Sequence, residues 1–161
     1  MCTRYSRSRR ALHWLSAVII LWASVSGFGV QAFPPGCAIR QWVESFNPQI
    51  TSVFIPFFAW RLWLKCTQPG SANLNVAGAV HWALYGLVSA VLVTGVLMMA
   101  TPVTMFGLFT LPSLVHDAVW LARLHHWHQL ACMALAALVG LHLAAVVWHQ
   151  MRGHTVMARM R

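Results

Sequence analysis

The sequence predicts an all-α protein, a transmembrane four-helix bundle forming one membrane domain over residues 1–161. Three observations carry that expectation. Of the 161 residues 59% are hydrophobic and only 8% are charged. The apolar residues gather in four long stretches, and the basic residues fall between those stretches rather than along them. A water-soluble chain of this size could not hide so much apolar surface, so a soluble enzyme is excluded. The formal net charge of +9 would suit a nucleic-acid binder, but its distribution does not, and nucleic acid is not an expected partner. The four cysteines (Cys2, Cys37, Cys66 and Cys132) form no CxxC pair, which excludes a disulfide scaffold, a zinc ribbon and a covalent CxxCH haem site.

The expected spans cover about 11–30, 45–63, 76–100 and 122–149. A span needs about 20 mostly apolar residues, which the first, third and fourth supply with ease. The second is the weakest, because Pro48 and Pro56 fall inside it and predict a short, kinked segment. Pro34-Pro35-Gly36, Pro69-Gly70 and the stretch from Pro102 to Pro112 mark the three connections. Residues 1–32 also have the order of a signal peptide, but the apolar run is long for one and holds His13 and two Trp.

Arg4, Arg7, Arg9 and Arg10 precede the first span, Arg61 and Lys65 close the second, and Arg152, Arg159 and Arg161 follow the fourth. Arg40 and Arg123 lie on the opposite side with Glu44 and Asp117. The positive-inside rule then predicts cytoplasmic N- and C-termini and an even number of spans.

Ionisable groups at membrane depth are functional candidates, and here they are histidines. His13 lies in the first span, His81 in the third, and His128, His142 and His149 in the fourth. Fourteen residues separate His128 from His142, about four turns and about 21 Å along a helix, some 40° from a common face. Two imidazoles so placed can each offer a nitrogen to a separate iron inside a bundle. Depth then pairs His13 with His142 as axial ligands of one haem b near the cytoplasmic face. Ala17, Ser24 and Gly27 follow His13 on its face, and Ala134, Ala137, Gly140 and Ala144 are expected beside His142, small enough to admit a porphyrin. Small residues in membrane helices also serve plain helix packing. The His125-His126-Trp127-His128 run suggests a zinc or copper site, but no Cys or carboxylate stands within it. His116 and His154 fall in or near loops.

The order of these residues resembles the bacterial cytochrome b561 family. The likeness runs through Tyr5-Ser6, His13-Trp14-Leu15, Arg61-Leu62-Trp63-Leu64-Lys65 with Pro69, and His81 through Tyr85. It continues through Gly95 to Met99, the loop from Phe106 to Pro112, Trp127-His128, Leu141-His142 and Trp148-His149. The resemblance implies a four-span di-haem b protein of the bacterial inner membrane, in a family that includes quinone-linked superoxide oxidases and is related to the cytochrome b subunits of nickel–iron hydrogenases. It implies that His13 and His142 hold one haem. A second haem would lie between His128 and a histidine at the start of the second span, where this chain has Asn47. No histidine occurs between His13 and His81, so that second haem is placed in doubt.

The leading functional expectation is therefore a membrane-embedded b-type cytochrome passing single electrons to or from a quinone, such as ubiquinone, in a respiratory chain. His81 and His149 lie toward the inner haem and are candidates to hydrogen-bond a propionate, a quinone carbonyl or a neighbouring helix. An alternative is a superoxide:ubiquinone oxidoreductase. The four outer charges sum to zero, which gives no field to attract an anion. The third reading is a haem-free scaffold or docking subunit for a redox partner protein.

Overall fold

A computed structural model describes residues 7–67 and 76–153. Arg4, Tyr5, Ser6, Pro69, Gly70, His154, Arg159 and Arg161 lie outside the described residues. Four long helices run in sequence: α1 (Arg7–Gly29), α2 (Ala38–Cys66), α3 (Val76–Leu97) and α4 (Ala118–Met151). A 3-10 turn at Val30–Ala32 extends α1. The fold is all-α, with one small hairpin between α3 and α4. Three helical segments, Arg7–Ala32, Val76–Leu97 and Ala118–Met151, are long and apolar enough to cross a membrane. The α2 helix has the length but carries Arg40, Gln41, Glu44, Asn47 and Gln49 in its first half.

Local chemistry explains where the helices begin and end. Pro34 and Pro35 cannot extend a helix, and Gly36 takes the left-handed conformation (φ 84°) that turns the chain back. The Cys37 thiol then caps α2 by accepting the Arg40 N–H at 3.4 Å. Arg40 pairs with Glu44 one turn on (2.8 Å) and donates to the Phe33 carbonyl (3.2 Å). These contacts start α2 well before its apolar stretch, so it is 29 residues long rather than short. Pro48 and Pro56 sit inside one continuous helix. The Asp117 carboxylate caps α4 by accepting the Trp120 N–H at 2.9 Å. At about 1.5 Å per residue α4 runs some 51 Å, well beyond the ~30 Å hydrocarbon core.

The loop expected from Pro102 to Pro112 holds a two-stranded antiparallel hairpin, β1 (Val103–Met105) and β2 (Phe109–Leu111). Phe106 and Gly107 both take positive φ (48° and 73°) and close the turn through Leu108 N–H to the Met105 carbonyl. Fully buried Met105 anchors it, and the Phe106 N–H donates to Gln49 Oε1 of α2 at 2.9 Å.

Packing is by pairs. The α1 helix lies against α2 and α3 lies against α4, with α2 meeting α3 less extensively; α1 and α4 are not closely packed. The core joins Ile19, Phe54, Phe58, Val88 and Leu135, flanked by Ile20, Leu84, Tyr85, Leu87 and Val139. Most other large apolar side chains, including Trp14, Trp63, Trp127 and Leu141, are exposed, as lipid-facing groups are. In lipid there is no hydrophobic drive between helices, so close packing and polar contacts hold them together.

Candidate functional site

Each predicted site residue falls at one of the two ends of the bundle. The end where α1 starts carries His13, the C-terminal part of α2, the start of α3 and the C-terminal half of α4. There the Arg61 guanidinium of α2 reaches His13 Nδ1 of α1 at 3.1 Å and donates through Nε to the Tyr85 hydroxyl of α3 at 3.2 Å. Its charge also lies over the Tyr85 ring, 5.3 Å from the centroid. The His81 ring of α3 and the His142 ring of α4 meet edge to face, 5.5 Å between centroids. His13 lies within electrostatic reach of both. All four helices thus contribute to one cluster of three imidazoles and a guanidinium.

A guanidinium has only donors, so the His13 nitrogen that meets Arg61 carries no proton. The ring proton of His13 is therefore on Nε2. No described residue hydrogen-bonds either ring nitrogen of His142. His13 and His142 are half-buried, on the two helices that do not pack together.

The small residues divide. Ala17 and Ser24, on the His13 face, are half-buried. On α4 the expectation fails: Leu135, Val139 and His142 turn inward, whereas Ala134, Ala137, Gly140 and Ala144 are exposed. At 100° per residue Gly140 and Ala144 lie about 160° from His142 and Ala137 about 140°, on the opposite face, whereas Ala134 lies about 80° to its side. Nothing lies within 4 Å of a Cβ built on Gly140.

At the hairpin end, His128 of α4 is seated on α3. Thr94 spends its hydroxyl proton on the Ala90 carbonyl (2.6 Å), so His128 Nδ1–H donates to Thr94 Oγ1 (2.9 Å). Its Nε2 is left as the acceptor and faces the Cys132 thiol at 3.5 Å, one turn along α4. Gly95 makes room for the ring: a Cβ there would lie 3.3 Å from His128 Cε1. Asn47 of α2 turns toward α1, its Oδ1 accepting the Ser26 hydroxyl proton at 3.0 Å. His125, His126 and His149 are exposed, and His116 contacts the Ser113 hydroxyl at 3.1 Å.

Sequence reasoning assigned Arg61 only to membrane topology and missed its place between His13 and Tyr85. A lone cation at the edge of an apolar stretch that holds no acid was the available signal. Thr94, Cys132 and Ser26, the partners of His128 and Asn47, carried none.

Against this geometry, a family model described as prokaryotic cytochrome b561 matches residues 4–161. The chain belongs to the prokaryotic cytochrome b561 family. A comparison with curated proteins gave no match. Membership with the apolar helices makes it a multi-pass membrane protein and a b-type cytochrome of electron transfer, with haem b as its cofactor. In a cytochrome of this family an intramembrane imidazole cluster is the place to look for the iron ligands.

Proposed function

We propose that His13 and His142 are the axial ligands of a haem b, in a chain that passes single electrons to or from a membrane quinone. The supporting observation is their placement. They stand half-buried at one end, on two helices that are not closely packed against each other, with Arg61 beside His13. Neutral imidazoles from facing helices are an established ligand set for haem iron in a bundle. When bound, haem b supplies reversible one-electron chemistry at its iron.

The chain's own residues do the rest. Ligation through His13 Nε2 needs the ring proton on Nδ1, so the guanidinium must release that nitrogen. The Tyr85 hydroxyl keeps Arg61 at the site, where its charge is available to an anionic group such as a propionate. His81 rests against His142 and fixes the ring's orientation. Ser16, almost fully buried, returns its hydroxyl proton to the Leu12 carbonyl one turn back.

We take α2 as the fourth span, its polar first half at the far interface. Arg7, Arg9, Arg10, Arg61, Lys65 and Arg152 share the His13 end, which supports a cytoplasmic position for that end and both termini. Absorption spectra of detergent-solubilised protein test the ligand pair. Wild type should show sharp reduced α and Soret bands, and His13→Ala should lose them. Anaerobic ubiquinol should reduce the wild-type haem. Bands that survive in His13→Ala would overturn the ligand assignment, and no reduction by any quinol would overturn the quinone.

A further inference from the structure

The hairpin end departs from a haem site in three independent ways. Where the family resemblance implies a ligand on α2 stands Asn47, an amide that is a poor iron ligand, and its Oδ1 is engaged by the Ser26 hydroxyl of α1. The lone pair of His128 that an iron would need is aimed at the Cys132 thiol, and the other ring nitrogen is bonded to Thr94. The ring itself lies close on α3 at Gly95, where a Cβ would stand 3.3 Å from its Cε1. The remaining described imidazoles near this end offer no replacement. His125 and His126 are exposed on α4 itself, and His116 is held by Ser113 in the loop.

We infer that this chain binds one haem only, and that the hairpin end is closed by two polar seams, Ser26–Asn47 and Thr94–His128–Cys132, in place of a second. His128 is then a structural residue that joins α4 to α3. Asn47 is the one of these departures that a single substitution to histidine can reverse. The inference rests on the His13–His142 reading, and its test separates the two.

The test is the haem-to-polypeptide ratio of the full-length purified protein, by pyridine haemochrome against amino-acid analysis, after expression with a porphyrin precursor. The expected value is one, and His128→Ala and His128→Gln should keep it at one. Asn47→His, alone or with Ser26→Ala, should raise the ratio toward two and add a second low-spin component to the redox titration. A wild-type ratio of two would overturn this inference while leaving the first ligand pair standing. So would a fall to zero in both His128 variants. A ratio fixed at one in both Asn47→His proteins would overturn the role given to Asn47. A wild-type ratio of zero would instead overturn the haem reading itself.

Discussion

At the His13 end, groups from α1, α2, α3 and α4 converge on one cluster, and Arg61 bridges His13 to Tyr85 across two helix pairs. At the hairpin end the polar groups pair off within the seams, Ser26 with Asn47 between α1 and α2, and Thr94 with His128 between α3 and α4. Both ends spend polar side chains at membrane depth, where an unsatisfied group is costly. The difference is in what the contacts leave over. At the first end, no described residue hydrogen-bonds His142, and the helices that carry His13 and His142 are not closely packed. At the second, every nitrogen of His128 has a protein partner. In the proposed reading the same residue type holds a ligand in one place and fastens two helices in the other.

The largest expected effect separates neighbours within the first end. His142→Ala should abolish the low-spin absorption bands altogether, whereas His81→Ala, whose ring lies 5.5 Å away, should keep them. Reduced-minus-oxidised spectra decide it, and the opposite pattern would move the ligand from α4 to α3.

Arg61→Gln comes next. It removes the cation, and with it the contact to His13 Nδ1, while keeping both proposed ligands in the chain. A positive charge disfavours the oxidised, more positive iron, so its loss should lower the midpoint potential. One charge within about 10 Å at an effective dielectric of about 20 gives a shift on the order of 50 mV. An unchanged potential in an equilibrium titration would remove Arg61 from the site.

Smaller changes belong to the hairpin end. Gly95→Ala puts a methyl group 3.3 Å from the His128 ring and should displace it, which loosens α3 from α4. Thr94→Val removes the acceptor for His128 Nδ1–H and should cost about 0.6 and at most ~1.7 kcal/mol, the range of polar contacts between membrane helices. Both are read by denaturant unfolding in micelles, and both should leave the haem content unchanged.

Much of this contrast was legible in the sequence. Long apolar runs between basic clusters give the helices, and depth along antiparallel helices brings His13 and His142 to one end. Asn47 in a chain with no histidine between His13 and His81 already marked the weak end. What was not legible depended on side-chain direction and tertiary contact. Arg61 and His13 are 48 residues apart, so their meeting follows only from how α1 lies on α2. Gly140 and Ala144 fall opposite His142 because two residues are more than half a turn of helix, which a list of nearby small residues does not register. The hairpin escaped notice because its strands have three residues each and its turn is made by Phe106-Gly107, a weaker signal than Asn-Gly. The length of α2 depends on a thiol cap and one Arg40–Glu44 pair, which hydropathy does not register.

The iron's own coordination tests the central claim most directly. Electron paramagnetic resonance of the oxidised wild-type protein, with resonance Raman of the reduced form, should show a single low-spin iron carrying two imidazoles. A high-spin iron, or a colourless protein from cells well supplied with porphyrin, would contradict the clamp formed by His13 and His142.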